Sequence, residues 1–341
     1  MNDSISDELQ LAARAIAAAP IVALACHVTP DGDALGSMLA MHHLCEAAGK
    51  PNVMSWPEPF EAGNNYRSMP GLGSAVPPVR FLAEPPVMAT FDCGSLARLN
   101  ELAAPASHAR NHGELIVVDH HASNNRFGTI NAVDENAAAT AVVVRELART
   151  LGWPLNRDVA WCLYTGLVTD TGRFQYATTT PAVFSLAEEL ASFGLPVAQL
   201  SRELFEEHRF AYLQLAGRAL SRATLVPEIR FDSTFVSQRD LDDFGVGYQE
   251  IEGLIDWVRS TAEAEVACVC KEAPDGIRVS LRAISSVDVG AIATSLGGGG
   301  HRLAAGFTMT APIDRVLAVV RDAVQRVSVF EASHGDERSA R

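Results

Sequence analysis

The chain has 341 residues, of which 48% are hydrophobic and 20% charged, and its formal net charge is −14. A chain of this length favours two domains, and the composition is typical of a globular protein with a large core. The acidic balance argues against a broad nucleic-acid-binding surface, because phosphates would meet net negative protein. A small anionic ligand can still bind where metal ions and a few arginines provide positive charge.

Neither the apolar runs nor the N-terminus predicts contact with a membrane. Every apolar run is shorter than the ~20 residues of a membrane span, and no basic region with an apolar core begins the chain. The cysteines are scattered in apolar contexts without the spacing of a zinc site, namely Cys26, Cys45, Cys93, Cys162, Cys268 and Cys270. We therefore expect reduced thiols in the core of a cytoplasmic protein.

The first half of the chain alternates between helix-like and strand-like segments. Helical patterns cover residues 7–19, 34–48, 137–150 and 157–168. Short apolar runs that predict buried strands cover residues 21–26, 53–56, 87–92 and 115–119. Such alternation predicts an α/β fold with a mostly parallel, doubly wound sheet and helices on both faces.

The second half of the chain predicts a smaller α/β domain. Helical signals without strand signals extend to residue 222, and strand-like runs follow at 233–238, 264–271 and 277–283. The polar, small-residue tail is expected to fray. We expect a first domain over residues 1–185, a helical linker over 186–222, a second domain over 223–330 and a flexible tail over 331–341.

Three possible metal ligands cluster just after the first buried strand. His27 leaves that strand, and Asp31 and Asp33 follow with a single glycine between them. Open α/β sheets bind ligands at this point, between the carboxyl end of a strand and the N-terminus of a helix. An Asp-Gly-Asp sequence after a strand is more often a turn with a helix cap. This stretch alone leaves both interpretations open.

Ionisable groups also end the later strands, and their recurrence favours a metal centre. The residues expected on one side of the sheet are His27, Asp31, Asp33, Asp92, Asp119, His120, His121 and Asp170. Carboxylates and imidazoles without thiolates suit Mn²⁺ or Mg²⁺ better than a structural zinc ion. So many acids need more than one cation to offset their repulsion. A pair of such ions is suited to attack on a phosphorus atom.

In their order along the chain, these groups resemble the motifs of the DHH phosphoesterases. The matching stretches are His27-Val-Thr-Pro-Asp31-Gly-Asp33-Ala-Leu-Gly-Ser, then Asp92, then Asp119-His120-His121, then Asp170-Thr-Gly. A fifth stretch, Gly297-Gly-Gly-Gly-His301-Arg-Leu-Ala-Ala-Gly306, is similar to the signature of the C-terminal domain associated with this family. The resemblance covers nearly the whole chain.

The resemblance implies two Mn²⁺ ions per chain, for which Mg²⁺ or Co²⁺ could substitute. One ion would be bound by His27, Asp31 and Asp92, and the other by Asp33, Asp92, His120 and Asp170. Asp92 would bridge the two ions. Asp119 would orient the histidines, because metal-bound imidazoles usually require such a partner, and His121 would face the substrate. The implied catalytic residues are therefore Asp92, Asp119 and His121.

The glycine run and its neighbours are predicted to bind the substrate. Backbone N–H groups of Gly298, Gly299 and Gly300 permit the close approach that a phosphate requires, and His301 follows directly. Arg282 ends a predicted strand, and its guanidinium can pair bidentately with a phosphate. For Asn124, just past the double histidine, contact with the substrate and a role in the loop turn remain equally open.

Within the family, the length and domain pair resemble the stand-alone branch of oligoribonucleases and 3′-phosphoadenosine-5′-phosphate (pAp) phosphatases. The first domain would then be catalytic and the second would bind the substrate across a cleft. The resemblance implies hydrolysis of short oligoribonucleotides, including linear dinucleotides, to 5′-mononucleotides, removal of the 3′-phosphate of pAp, and cleavage of cyclic di-AMP as an option. It also implies a homodimer with no membrane contact and no long nucleic-acid track.

Three alternative functions remain. The main role could be that of a cyclic-dinucleotide phosphodiesterase, although the membrane-bound enzymes of that kind carry transmembrane and sensor segments. A manganese pyrophosphatase shares the metal motifs, but the Ser-Arg-Lys-Lys-Gln run of its C-terminal domain does not occur here. A nucleotide-binding regulator without catalysis is the third, and the intact ligands at every motif argue against it.

Overall fold

The chain folds into two compact units. A computed structural model of the protein describes residues 3–338, with side chains described over 5–327 except at position 301. The first unit is Met1–Glu207 and the second unit is His208–Arg341. This division falls inside the segment that the sequence predicts as a linker.

The first unit contains the predicted alternation of strands and helices. Its helices are α1 (Asp3–Ala18), α2 (Gly32–Ala47), α3 (Ala103–His112), α4 (Thr140–Leu151), α5 (Arg157–Asp170), α6 (Pro181–Ala191) and α7 (Val197–Phe205). Its strands are β1 (Val22–Cys26), β2 (Asn52–Ser55), β3 (Val87–Phe91), β4 (Glu114–Asp119) and β5 (Ile130–Val133). Short 3₁₀ helices lie at Asn64–Tyr66, Leu72–Ser74, Pro78–Arg80 and Leu96–Leu102. The sequence analysis did not predict β5.

The strands of the first unit form a parallel sheet in the order β2-β1-β3-β4-β5. Every residue of β1 and β3 is buried, because helices cover both faces of the sheet. One face packs against a core to which α1, α2, α4 and α5 contribute, and the other against a smaller core that includes α3. The predicted α/β fold with a parallel, doubly wound sheet is confirmed.

Helices α2 and α5 approach each other closely within the larger core. Gly36 of α2 lies against the backbone of α5, where a side-chain carbon at Gly36 would come within 2.5 Å of the carbonyl oxygen of Cys162. The absence of a side chain at this position permits the contact. Since α2 begins at the Asp-Gly-Asp sequence and α5 ends at Asp170, this packing brings two of the predicted metal-binding segments together.

The segment predicted as a linker is helical. It contains α7 and most of α6, together with α8 (Phe210–Ser221), which begins in the second unit. Leu190, Leu200 and Leu204 pack into the large core of the first unit, whereas Tyr212 and Leu215 of α8 pack into a core of the second unit. The domain limits given above stay a prediction.

The second unit is a mixed α/β fold. Its further helices are α9 (Gln238–Phe244), α10 (Leu254–Arg259), α11 (Val289–Ser295) and α12 (Ile313–Arg338), with 3₁₀ helices at Pro227–Ile229 and Tyr248–Ile251. Its strands are β6 (Thr224–Val226), β7 (Phe231–Val236), β8 (Val266–Ala273), β9 (Gly276–Ala283), β10 (Gly299–His301) and β11 (Ala304–Met309). The sheet order is β10-β11-β9-β8-β7-β6, with β7 and β8 parallel and the other pairs antiparallel.

The glycine run is an edge strand, although the sequence analysis predicts a loop there. Gly299 pairs with Gly306 and His301 with Ala304 in an antiparallel ladder. A side-chain carbon at Gly298 would come within 2.4 Å of Cβ of Phe307, and Gly300 has a φ of +137°. The absence of side chains at these glycines therefore permits the close approach of this segment to β11. The sequence alone does not reveal this contact.

The C-terminal end of the chain is helical as far as the structure describes it. Residues 331–338, predicted as part of a flexible tail, continue α12, and residues 339–341 of that tail lie outside the described residues. All six cysteines are buried free thiols, as predicted. Within the described residues, no helix combines the length and the apolar character needed to cross a bilayer.

The contact between α2 and α5 can be tested by adding one methyl group. Gly36→Ala should lower the free energy of unfolding by about 1–3 kcal/mol, because the backbone of α5 must move to accept it. Gly217→Ala on α8 is the control, since nothing lies within 4 Å of a side-chain carbon there, and it should stabilise α8 by about 0.5–1 kcal/mol. Urea unfolding followed by circular dichroism measures both changes, and a Gly36→Ala variant as stable as the wild type would contradict this packing.

Candidate metal centre

The predicted ligands converge at the carboxyl edge of the first sheet. β1, β3 and β4 are neighbours in the sheet, and each is followed directly by ionisable side chains: His27 after β1, Asp92 after β3, and His120 after Asp119 at the end of β4. The remaining predicted ligands lie at the N-terminus of α2 and the C-terminus of α5. The edge therefore concentrates acidic and imidazole groups from distant parts of the chain.

One group of potential ligands consists of His27, Asp31 and Asp92, whose nearest ligand atoms lie within 4.8 Å of one another. His27 Nε2 is 3.5 Å from Asp92 Oδ2. Asp31 is exposed and caps α2, because its Oδ1 accepts hydrogen bonds from the backbone N–H groups of Asp33 and Ala34 at 3.1 and 3.0 Å. The cap interpretation of this stretch is therefore confirmed, and Asp31 also lies among the potential ligands.

A second group consists of Asp33, His120 and Asp170, again within 4.8 Å. His120 Nε2 lies 3.1 Å from Asp170 Oδ2 and 3.9 Å from Asp33 Oδ2. It is also 3.6 Å from Asp92 Oδ1. Asp92 therefore presents one carboxylate oxygen to His27 and the other to His120, which places it between the two groups.

Asp92 is fixed in place by backbone and side-chain contacts. Its φ of +55° is in the left-handed region, which non-glycine residues seldom adopt. Its backbone N–H donates to Val118, and Oδ1 accepts a hydrogen bond of 2.9 Å from Thr140 Oγ1. Burial alone would raise the pKa of Asp92, but the hydrogen bond with His27 and the nearby histidine charges hold this pKa far below its ordinary value. The carboxylate is therefore charged and ready to bind cations.

The side chain of Asp33, a residue of α2, lies at the N-terminus of α4, where backbone N–H groups donate to its carboxylate. Oδ1 accepts from the N–H of Ala141 at 2.9 Å, and Oδ2 accepts from the N–H of Thr140. Burial, followed by the charge of Asp92, nevertheless raises the pKa of Asp33 from 3.8 to about 7. Burial, Asp33 and Asp92 likewise raise the pKa of Asp170 well above its ordinary value. In the metal-free site, both carboxyl groups thus disfavour the charged form.

The donor set fits divalent cations. Two groups of carboxylate oxygens and imidazole nitrogens lie on either side of Asp92. Burial and neighbouring carboxylates raise the pKa of Asp33 and of Asp170, as expected where buried negative charge is in excess. Bound cations would offset that excess. Oxygen and imidazole ligands without thiolates suit Mn²⁺, Mg²⁺ or a similar ion.

The two adjacent histidines are oriented by different partners. His120 Nδ1 donates to the carbonyl oxygen of Ala137 at 3.1 Å, which directs Nε2 toward the carboxylates. His121 Nδ1 donates to Asp119 Oδ1 at 2.7 Å, and the same oxygen accepts the backbone N–H of His120. The expectation that Asp119 orients the histidines holds for the ring of His121. For His120 the ring partner is a backbone carbonyl, because Asp119 reaches only its N–H.

Asn124 ties two loops of the site together. Its Nδ2 donates to Asp119 and to the carbonyl oxygen of Cys93, and its Oδ1 accepts the backbone N–H of Arg126. Of the two roles that the sequence left open, these contacts support the loop-turn role. Contact between Asn124 and a substrate stays a prediction.

Three groups at the site were not identified from the sequence. They are Thr140, which binds Asp92, the carbonyl oxygen of Ala137, and the exposed Arg98, whose Nη2 lies 3.0 Å from His27 Nδ1. Thr140 begins a helix and Ala137 contributes only its backbone, so neither carries a side-chain signal of ligation. Arg98 lies six residues after Asp92 in the sequence. Its proximity to His27 could be predicted only if the conformation of the intervening turn were known.

The predicted substrate-binding residues lie in the second unit. Arg282 is half-buried on β9, and its Nη1 donates to the carbonyl oxygen of Leu281 at 2.9 Å. Among the described residues, no carboxylate lies within ion-pair distance of its guanidinium. Gly298 precedes β10, Gly299 and Gly300 form it, and the side chain at position 301 is outside the described set. Arg302 instead binds the carbonyl oxygens of Ser285 and Ser286.

The fold and the acidic site match a known family. The DHH family N-terminal domain matches residues 21–167, and the DHHA1 domain matches residues 232–327. The chain belongs to the DHH family of metal-dependent phosphoesterases.

Among individual proteins, the chain is similar to the bifunctional oligoribonuclease and PAP phosphatase NrnA of Thermus thermophilus. The two are 31% identical over 309 residues, which cover 89% of this chain and 90% of the relative. The bifunctional oligoribonuclease and PAP phosphatase NrnA of Bacillus subtilis is 27% identical over 298 residues, or 86% and 91% of the two chains.

Solved structures share the architecture. An exopolyphosphatase-related protein from Bacteroides fragilis superposes with a TM-score of 0.87 at 23% identity, over 95% of this chain and 97% of that one. RecJ of Thermus thermophilus, in complex with Mn²⁺, has a TM-score of 0.52 at 14% identity, over 96% and 55% of the two chains. At these identities the likeness establishes the fold alone.

The His121–Asp119 pair gives a titration that can be measured without metal. Burial lowers the pKa of His121, but the hydrogen bond that its Nδ1 donates to Asp119 and the charges of Asp92 and Asp119 raise this pKa from 6.5 to about 9. The stabilisation from the charged ring is complete below pH 6.5 and is lost as pH rises through 9. Histidine ring NMR of the metal-free protein should show this value, and Asp119→Asn should move it toward 6.5. His121→Asn assigns the signal by its loss, and a wild-type ring that titrates near 6.5 would contradict the pairing.

Proposed function

We propose that the protein is a two-metal phosphoesterase that hydrolyses short oligoribonucleotides, including linear dinucleotides, to 5′-mononucleotides and removes the 3′-phosphate of pAp. The observation that carries this proposal is the position of Asp92 between the two ligand groups. It belongs to the group with His27 and Asp31, and its Oδ1 lies 3.6 Å from His120 Nε2 of the other group. The printed activities of the similar proteins from Thermus thermophilus and Bacillus subtilis support the choice of substrates.

Six residues would hold the metal ions. We assign His27, Asp31 and Asp92 to one ion and Asp33, Asp92, His120 and Asp170 to the other. Two Mn²⁺ ions, with Mg²⁺ or Co²⁺ as substitutes, would supply Lewis-acid stabilisation of phosphoryl oxygens and a water of lowered pKa. Among the protein's own groups, Asp92 links the two ligand groups. The hydrogen bond from Thr140 fixes its carboxylate, and the hydrogen bond to the carbonyl oxygen of Val118 fixes its backbone.

His121 is assigned to the reacting phosphate. Asp119 accepts its Nδ1 proton, which fixes the ring plane and leaves Nε2–H of the charged ring as the donor toward a phosphoryl or leaving oxygen. Asn124 holds Asp119 from its other oxygen, so the orientation of His121 depends on a chain of three side chains. A pre-oriented donor of this kind is effective because it needs no rearrangement when charge develops.

The second unit would capture the non-reacting part of the substrate. Arg282, the glycines 298–300 and His301 are the groups that we assign to this role, and Arg282 has a guanidinium without a carboxylate partner among the described residues. On the family resemblance, we also propose a homodimer and action on cyclic di-AMP in addition to linear dinucleotides. A comparison of rates on pAp, a linear dinucleotide, a five-residue RNA and cyclic di-AMP would rank these substrates.

The shared carboxylate gives the first test of the mechanism. Asp92→Asn should lower kcat by roughly 10³-fold, because both ions lose a ligand and the developing charge is less stabilised. It should also lower the bound Mn²⁺, measured by elemental analysis after gel filtration, more than His27→Ala does. Asp7→Asn, the same change at an exposed position of α1, is the control and should alter neither quantity. Full activity in excess chelator would contradict the metal mechanism.

Substrate length gives a second test. Initial rates should be highest on RNA of two to five nucleotides and fall toward about two dozen, because added phosphates meet net negative protein. The rates should depend weakly on salt, since few phosphates are neutralised by lysine or arginine. A length series at two salt concentrations measures both effects. If the longest strand is cut fastest and loses that advantage in salt, the protein has a nucleic-acid track that this proposal does not contain.

A further inference from the structure

One face of the second sheet carries a row of polar side chains along β9. Residues of β9 alternate between buried apolar side chains, which pack with α11 and α12, and partly exposed polar ones. The polar residues are Arg278, Ser280 and Arg282. Because side chains of a strand alternate between its faces, these three point to the same side, away from the α11 and α12 core.

The strand beside this row contributes only short side chains on the same face. Ala304 of β11 pairs with Arg282, Gly306 with Ser280, and Thr308 with Arg278. Their partners in the alternation, Ala305 and Phe307, point into the opposite core. The two arginines therefore project beyond the short side chains of β11, and a polymer backbone can approach this surface closely.

Helices cover the other half of this face and form a wall beside the row. α8 and α10 pack on Val236 of β7 and on Ala267 and Val269 of β8. Next to this core, Lys271 of β8 pairs in register with Arg278. Lys271 is only 2% exposed, and its Nζ lies 2.6 Å from Glu252 Oε2.

Arg278 is held between an aromatic ring and an exposed carboxylate. Its guanidinium carbon lies 5.3 Å from the centroid of Tyr248, whose ring also lies 5.7 Å from Lys271 Nζ. Its Nη2 is 3.0 Å from Asp275 Oδ2, in a pair whose side chains are 41% and 54% exposed. Exposed pairs of this kind contribute little, so a phosphate can replace Asp275 at low cost.

The row is a local excess of positive charge in a chain of net charge −14. Lys271, Arg278 and Arg282 lie close enough that both arginines add to the effect of burial in lowering the pKa of Lys271, against the opposing charge of Glu252. Three cations against two carboxylates, Glu252 and Asp275, leave a net positive charge on this face that favours an anionic ligand. Arg278 has no role in the function proposed above.

We propose that Arg278, positioned by Tyr248, forms a distal phosphate subsite for short oligonucleotides. Arg282 and Arg278 are four residues apart on one strand, about 13 Å at the usual rise, which is comparable to two nucleotide steps of an extended strand. A chain held at Arg282 would reach Arg278 with a phosphate two nucleotides further on. A dinucleotide or pAp held at Arg282 would end before it. This inference rests on the proposed function and specifies which substrate lengths the second unit prefers.

The test compares substrates of different length in matched variants. Arg278→Gln should raise KM for a pentanucleotide by about five- to tenfold, since a charge-assisted contact to phosphate is lost. KM for a linear dinucleotide and for pAp should stay within about twofold. Arg321→Gln, the same change at an exposed position of α12 on the opposite side of the sheet, should affect neither class of substrate.

A second variant separates phosphate binding from a structural role. Asp275→Asn removes the partner of Arg278, and it should leave KM for the pentanucleotide unchanged or lower it. If Asp275→Asn reproduces the effect of Arg278→Gln, the ion pair matters only for the fold and the inference is wrong. It is equally wrong if Arg278→Gln raises KM for all substrates alike or for none.

The failure of this inference can be told apart from failure of the proposed function. A wild-type protein that does not hydrolyse the linear dinucleotide refutes the function. In that event, calorimetric titration of the metal-free protein with pentanucleotide and dinucleotide still shows whether Arg278 forms the subsite. A pentanucleotide affinity about five- to tenfold weaker in Arg278→Gln, with an unchanged dinucleotide affinity, supports it, and equal affinities of wild type and variant overturn it.

Discussion

The burial of several carboxyl groups at one edge of a sheet is the constraint on which the first unit depends. Asp33, Asp92 and Asp119 are all buried, and buried charges destabilise a fold unless other groups compensate them. Each receives a different compensation. The N-terminus of α4 donates backbone N–H groups to Asp33, the histidines surround Asp92, and Asn124 with His121 binds Asp119.

The parallel sheet makes this concentration of charge possible. Neighbouring parallel strands end at the same edge, so β1, β3 and β4 deliver their terminal side chains to one place without any long excursion of the chain. Asp170 is less favourably placed, since it ends α5 and the negative end of a helix dipole opposes an anion there. Burial and the charges of Asp33 and Asp92 raise its pKa as well. The site is thus assembled in an arrangement that positive ions would relieve.

The convergence of these side chains at one edge could be predicted because several of them directly follow an apolar run that is typical of a buried strand. His27, Asp92 and Asp119 are recognisable in this way, and Asp170 is recognisable because it follows a predicted helix. The contacts that orient them are not recognisable, since Ala137 acts through its backbone and Thr140 through a helix that arrives from elsewhere. Their positions depend on how α4 packs, which no local pattern encodes.

The same limit explains the elements that the sequence analysis missed or described differently. β5 has four residues, and two of them, Asn131 and Ala132, are of types that are depleted in strands. The glycine run lacks the β-branched and aromatic residues typical of strands. It nevertheless pairs with β11 as an edge strand, because its glycines allow close approach. Helices α6 and α7 were predicted as helical, but their attachment to the first core depends on Leu190 and Leu200 finding partners far away in sequence.

The cap of α2 has a consequence for how folding and ion binding are coupled. Asp31 uses Oδ1 to hold the first turn of α2. In the proposed assignment its other oxygen would bind a cation, so that one carboxylate would serve two roles. Asparagine is as good a cap as aspartate but lacks the anionic charge, so that exchange keeps the helix start and weakens ion binding, whereas alanine removes both. The start of α2 and the proposed ion binding can thus be separated by substitution at Asp31, because they depend on different oxygens of its carboxylate.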